Sequence, residues 1–409
     1  MAIQSPIIKF SLILSITLVL FSCGGGGSQV AEGGISGTGI TMGRITNFGS
    51  VFVNGVEFNT DNATFLRDNQ TASGGQNDFH VGEFVVVNGT VDASGITGTA
   101  FDVIFNDLLE GAVTQVSTPQ GTSIKVLGQV VDTDLLTVFQ GFSRLTDLQL
   151  GNIVEVSGTR NSSGLITATS ISLKQTQFIP NQSENELKGI ITPPVTSQTF
   201  NIGGLTVDYS NATGVPAQGL SSGQFVEVKS NTNVTGNNIL FADSIKLENE
   251  FLSLQGVTQA EIEGQVTSFQ SPTQFSVNGI PVTTTPQTQY KNGSANNLAL
   301  NVFLEVEGGV DAAGVLTASK VAFEFENSVG GGELEGSVAS INLAANELVV
   351  NGQIILLDTS TLMVDDSNLK VSPLTINDLG IGDTVDVEGV TQPDGRILAS
   401  KLERSSVGV

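Results

Sequence analysis

One histidine, His80, lies between Phe79 and Val81 in the run FHVGEF, and it is the only side chain able to act as the base of a Ser-His-Asp triad. Later copies of the same run place Gln149, Ser221, Ala299 and Gly380 there, so the position reads as a surface loop site rather than a catalytic one. Forty acidic residues offer many carboxylate pairs for acid and base work, but no spacing singles one out. Asp precedes Gly in VDASG (91–95), VDAAG (310–314) and QPDG (392–395). These turns lack the D-x-D-x-D-G spacing that gathers the roughly six to eight oxygens calcium needs, and turn chemistry accounts for them. No G-x-x-x-x-G-K-[ST] or H-E-x-x-H occurs, and GGGGS (24–28) carries no Lys. No catalytic residue, metal site or cofactor is therefore expected.

Sixteen basic residues against forty acidic ones give a formal charge of −24. The basic residues are scattered singly, which excludes nucleic acid as an expected partner and suggests a solvated acidic coat. Aromatic content is Phe-dominated, with 22 Phe, two Tyr (Tyr209 and Tyr290) and no Trp. A stacking platform for sugars or bases is poorly supplied, whereas Phe fills cores without needing a hydrogen-bond partner.

The elements that would hold any site are short strands. With 39% hydrophobic residues, 48 glycines and only 14% charged residues, the composition points to an all-β chain. Three landmarks recur in fixed order about every 70 residues. The first is an opening glycine, at Gly43, Gly111, Gly189, Gly264 and Gly336. The second is a hairpin, Asn54-Gly55, Asn278-Gly279 and Asn351-Gly352, with Gly203-Gly204 meeting the same demand for positive φ and Leu127-Gly128 departing from it. The third is an apolar residue, a turn and a strand, as in LQLGNIVEVSG and LGIGDTVDVEG, followed by a last strand that reaches an alanine.

Alternation in the strand of that third landmark, the fifth of about six in the unit, puts Val154 and Val156, or Val385 and Val387, on one face. Glu155, Glu227, Glu305 and Asp386 take the other, where they are expected to keep an exposed strand soluble; Val86 stands there in the first copy. About six short strands with one apolar face bury it by closing into a small OB-like barrel. The expected architecture is five tandem barrels, at 40–109, 110–174, 187–248, 262–326 and 334–405, separate rather than joined in one ring. NSVGGGE (327–333) is the expected hinge.

Residues 1–22 carry one cation, Lys9, and an uncharged run from Phe10 to Phe21 that would span only about 18 Å as a helix, short of the roughly 30 Å hydrocarbon core. This is an export signal. LFSC (20–23) resembles the lipobox of bacterial lipoproteins, which implies lipidation of Cys23, the only cysteine. Gly rather than Asp at position 24 implies outer-membrane retention in that family. Residues 23–39 then form a Gly-rich tether with a reach of roughly 20–24 Å.

The pattern of opening glycine, V-N-G hairpin, G-D-x-V-E-V-E-G and D-G-x-x-x-A resembles an uncharacterised bacterial repeat domain known as domain of unknown function 5666, frequent in secreted proteins and lipoproteins. The resemblance carries no activity. The expected role is a non-enzymatic repeat protein, anchored at the outer membrane through Cys23 and facing the periplasm or the surface, that binds or spaces an envelope or extracellular protein or glycan. A carbohydrate- or peptide-binding module is the alternative, and an envelope hydrolase with a carboxylate pair ranks lowest. Oligomeric state is left open.

Overall fold

Alternating apolar residues between Gly-rich turns become strands throughout the computed structural model, which describes residues 37–408 apart from 69, 117–120, 162, 181, 249–251, 292, 324–330, 358–360, 372 and 392–394. The signal, Cys23, most of the tether and Asp394 of the third Asp-Gly turn lie outside the described residues.

Repeat 1 contains β1 (Gly37–Phe48), β2 (Val51–Val53), β3 (Val56–Asn59), β4 (Thr64–Arg67), β5 (Gln70–Thr71), β6 (Phe84–Val91) and β7 (Thr97–Phe105). Repeat 2 contains β8 (Leu109–Gln115), β9 (Ser123–Val126), β10 (Gln129–Gln140), β11 (Ile153–Arg160) and β12 (Ile166–Gln175). Repeat 3 contains β13 (Asn185–Ile190), β14 (Thr199–Ile202), β15 (Leu205–Asp208), β16 (Phe225–Ser230), β17 (Ile239–Phe241) and β18 (Ser244–Leu247). Repeat 4 contains β19 (Gln259–Ser271), β20 (Gln274–Val277), β21 (Ile280–Thr283), β22 (Gln289–Lys291), β23 (Phe303–Val310) and β24 (Leu316–Phe323). Repeat 5 contains β25 (Gly331–Asn342), β26 (Glu347–Val350), β27 (Gln353–Leu356), β28 (Leu362–Asp365), β29 (Thr384–Thr391) and β30 (Ile397–Ser406).

In repeat 1 the ring runs β1-β2-β3-β7-β6 and back to β1, with β3 and β7 parallel and every other wall pairing antiparallel. This is the arrangement of a closed, five-stranded OB-type barrel. Repeats 2, 4 and 5 close in the same order. Repeat 3 is looser: β13, β16 and β18 pair in one sheet, β14, β15 and β17 in another, and a single bridge, Thr192 to Asn201, joins them at one side.

Two glycine positions explain the recurring landmarks. In repeats 1, 4 and 5 the turn asparagine folds over the opening glycine, so a Cβ on Gly43, Gly264 or Gly336 would strike the carboxamide of Asn54, Asn278 or Asn351. Each amide donates to the carbonyl just before that glycine: Met42 at 3.2 Å, Glu263 at 2.9 Å and Glu335 at 2.8 Å. The second position is Gly89, Gly158, Gly308 and Gly389, where the register shifts opposite Ala100, Ala168, Ala318 and Ala399. A side chain there would meet the neighbouring strand's carbonyl, so the late alanine marks a bulge that bends the wall.

Repeat 2 keeps the same turn despite its sequence. Leu127 and Gly128 both have positive φ, 48° and 74°, and Leu127 is fully buried over Gly111. Burying a leucine contributes about 1.5–3 kcal/mol, enough to hold it in a strained turn conformation. Repeat 3 differs from the expectation of equivalence: only Gly203 of the Gly203-Gly204 pair has positive φ, the pattern of a type II′ turn.

The opening strands start earlier than expected, at Gly37, Asn185, Gln259 and Gly331. Their first residues pair through backbone groups, which composition does not reveal. Gly37 to Gly39, assigned to the tether, pair with Val91 to Gly89, and Gly331 to Glu333, assigned to the hinge, pair with Val390 to Glu388.

Repeats 1, 2, 4 and 5 each close on themselves, yet the five units are not independent beads. Leu109 and Leu187, both fully buried, merge the cores of repeats 2 and 3. Ile40 and Met42 of repeat 1 join the core of repeat 4. Val81, Val138 and Leu362 bring repeats 1, 2 and 5 together. No helix among the described residues is long and apolar enough to cross a membrane.

Candidate functional site

The densest chemistry lies where repeats 1, 2 and 3 meet. β8 and β13 continue one sheet from repeat 2 into repeat 3 through two rungs, Leu109 with Leu187 and Glu110 with Glu186. Glu110 also faces Glu155 on its other side, and Glu186 faces Lys229. Four adjacent strands thus carry Glu155, Glu110, Glu186 and Lys229 in one row. Like charges directly opposite are unfavourable in a sheet, so cations must reach in from neighbouring strands.

They do so from both sides. Arg67, at the end of β4 in repeat 1, pairs with Glu155 and Glu83 at 2.9 Å each. Its guanidinium lies 4.1 Å from the ring centroid of Phe105. Lys174 holds the other oxygen of Glu155 at 3.0 Å. Lys188 contacts Asp107 at 2.9 Å, Glu186 at 2.6 Å and Asp68 at 3.6 Å. Lys229 reaches Glu186 at 2.5 Å.

Burial and charge shift the protonation of this row in opposite directions. Burial, with Glu155, Glu184 and Glu186 nearby and Lys174 opposing, pushes Glu110 up to about 7. Burial also raises Asp107 well above the usual carboxylate range despite Lys188. For Glu186 burial acts upward, but Lys188 and Lys229 override it and lower its pKa. Burial alone would depress Lys188; Asp107 and Glu186 raise it instead.

A cavity of about 280 Å³ opens over the row, lined by Arg67, Asp68, Asp107, Glu110, Glu186 and Lys229 among others. Carboxylate oxygens of Asp68, Asp107 and Glu186 lie within 4.8 Å of one another, close enough to hold a metal ion. The ammonium of Lys188 already contacts all three. A metal here would have to displace an intrinsic cation, so the donor set fits a structural ion-pair network rather than a metal centre.

The repeated acids occupy a different environment from the one expected. Glu155 and Glu227 are 6% and 9% exposed, and Glu305 is held by Lys320 at 3.0 Å. Glu155 is an interface group, met by Arg67 of repeat 1, whereas Glu227 and Glu305 are held by lysines of their own repeats, Lys229 and Lys320, so none of the three is a simple solvated carboxylate. His80 matches its reading as a loop residue: its side chain is half exposed, and its Nδ1 lies 3.3 Å from Glu83, which is already engaged by Arg67. Asp92 and Asp311 turn their carboxylates onto their own loops, accepting from the backbone of Ser94 and of Ala313 and Val315. Tyr209 is a core residue, 7% exposed, whose hydroxyl donates to Thr196.

Sequence reasoning did not pick out Arg67, Asp68, Asp107 or Lys188. The one available signal was the near-absent spacer NDLLE (106–110), which forces repeats 1 and 2 to abut and carries Asp107 and Glu110 into the junction.

Comparison with known proteins gives a family and little else. A family model described as a domain of unknown function, DUF5666, matches five times, at residues 42–101, 110–172, 188–246, 263–322 and 335–403. No curated protein matches. A solved structure titled Drosophila Unr CSD456 is 12% identical, with 53% of this chain and 98% of that one covered at a TM-score of 0.16.

Proposed function

This chain belongs to the DUF5666 family, and from that premise we propose that it is a non-enzymatic binding scaffold held at the bacterial envelope by acyl chains on Cys23. The observation that carries the reading is the fate of the charged groups at the three-repeat junction. Arg67 holds Glu155, and Lys188 holds Asp107 and Asp68, across repeat boundaries, while Lys188 also engages Glu186 on its own strand. Groups locked in this way fix the barrels relative to each other and are engaged with one another rather than free to pass protons to a substrate.

Fusing the barrels creates surfaces and crevices that a single small barrel lacks. These suit recognition of an envelope or extracellular protein or glycan. Acyl chains contribute about 0.8 kcal/mol for each buried CH₂, so a multiply acylated Cys23 would keep the scaffold on a membrane.

Two experiments test the reading. Cys23→Ser is expected to move the protein from the membrane to the soluble fraction; unchanged membrane retention would remove the anchor. The purified full chain is expected to turn over no glycan, peptide or ester substrate. Turnover abolished by one Asp or Glu substitution would make it an enzyme instead.

A further inference from the structure

Repeat 1 departs from the others on the outer face of its barrel. The outward cross-strand pair there is Val86 with Ile104. The corresponding pairs are Glu155 with Ser172, Glu227 with Lys246, Glu305 with Ala322 and Asp386 with Glu403. Only repeat 1 puts two branched apolar residues on this face, where a lone barrel would meet water.

Packing does not fill the space above them. A cavity of about 410 Å³ lies there, walled by Phe84, Val86 and Ile104 of repeat 1, Leu108 beside repeat 2 and Phe225 of repeat 3. All five are half-buried. Volumes of roughly 300–1,000 Å³ with mostly apolar walls are typical of small-molecule sites. Thr159 also lines the cavity; it is 4% exposed, and its Oγ1 has no hydrogen-bond partner among the described residues. A buried hydroxyl without a partner is destabilising, so it asks for one.

The ionic groups at the rim are already engaged. Lys188 is held by Asp107 and Glu186, and the Arg160 guanidinium donates to the carbonyls of Gly164 and Lys188. A charged ligand would therefore have to break existing pairs. We propose that this crevice is a binding site for an uncharged, mainly aliphatic or aromatic molecule bearing one hydrogen-bonding group, which meets Thr159 while the apolar body lies against Val86 and Ile104. The assignment rests on the reading of the protein as a binding scaffold and specifies its ligand class.

The probe is N-phenyl-1-naphthylamine, an uncharged fluorophore, titrated into the full chain carrying Cys23→Ser so that no acyl group competes, with 1-decanol as competitor. One saturable site is expected. Val86→Glu, which restores the residue type of the other repeats, and Ile104→Trp, which fills the cavity, are each expected to weaken probe binding at least tenfold. Their melting profiles show whether each variant folds, and either folded variant suffices. Thr159→Val is expected to weaken displacement by 1-decanol about three- to tenfold. Absence of saturable binding, or binding unchanged in the folded variants, would overturn the site. Decanol displacement unchanged in Thr159→Val would overturn the role of that hydroxyl. None of these results depends on turnover, so the site and the non-enzymatic reading can fail separately.

Discussion

Arg67 and Arg404 place their guanidinium groups in the same site of two different barrels, although they sit on different strands. Arg67 on β4 donates to the Asp78 carbonyl at 2.7 Å and pairs with Glu83. Arg404 on β30 donates to the Asp378 carbonyl at 2.7 Å and pairs with Asp383 at 3.3 Å. The swap is across one ladder: Arg67 faces Phe105, whereas Asp365 faces Arg404. In each barrel the arginine ties a short 3-10 turn, Gly75–Asp78 or Ile376–Asp378, to the acid just before the next strand. In repeat 5 the charge is closed off by Asp365 at 2.6 Å; in repeat 1 it reaches outward to Glu155 of repeat 2. One internal cross-brace has thereby become an inter-repeat joint.

Arg404→Met is expected to destabilise repeat 5 by about 3–5 kcal/mol, because Asp365 and Asp383, each buried, lose their cation. Arg404→Lys is expected to recover only part of this, since an ammonium cannot reproduce the two-pronged contact with Asp365. Denaturation followed by hydrogen exchange in β28 to β30 reads the difference. Equal stability of the Lys variant and the parent would contradict the assignment.

The joint between repeats 1 and 2 is testable by a double-mutant cycle on Arg67→Met and Glu155→Gln. A coupling of about 1–3 kcal/mol is expected, with exchange rising on both sides of the boundary. Additive effects would mean that the pair does not join the repeats.

Glu110 gives the junction of repeats 2 and 3 a pH dependence of known sign. Its folded pKa of about 7 lies above the ordinary 4.5, so the folded chain holds this proton more tightly than the unfolded one. That contribution is fully present below about pH 4.5 and is lost as pH rises through 7. Glu110→Gln is expected to stabilise the protein by roughly 1–3 kcal/mol at pH 8 and to change it little at pH 4. Amide exchange along β8 and β13 at the two pH values checks this, and a gain at pH 4 as large as that at pH 8 would mean that folding does not raise the Glu110 pKa.

Gly43→Ala is expected to cost about 1–3 kcal/mol, because the new methyl group must displace the Asn54 carboxamide beside the buried Glu263. Gly49→Ala is the control for crowding: it has no atom within 4 Å of the added Cβ, though its φ of 123° adds backbone strain. Pairing Asn54→Ala with Gly43→Ala is expected to recover part of the loss, which thermal melts of the three variants would register. No recovery in the double variant would mean that the two residues do not oppose each other.

The sequence by itself determined the unit. Turn positions are set by local φ demands at Asn-Gly pairs, and strand faces by a period of two, so the all-β class, the five repeats and the barrel closure seen in four of them were legible from residues a few positions apart. Strand starts such as Gly37 and Gly331 were not, because they are held by backbone pairing that any residue can make. Tertiary structure alone decided which barrel covers which. Ile40 pairs with Ala260 in parallel across more than two hundred residues of chain, and Arg44 meets Glu263 at 2.7 Å. No local rule encodes such a contact. The same cause moved Glu155 from an expected solvated face into a buried ion pair with Arg67 of the neighbouring repeat. A glutamate on an outer strand face has the same sequence signature whether water or another barrel lies beyond it; only the packing of the neighbour removes the water and turns the charge into a joint.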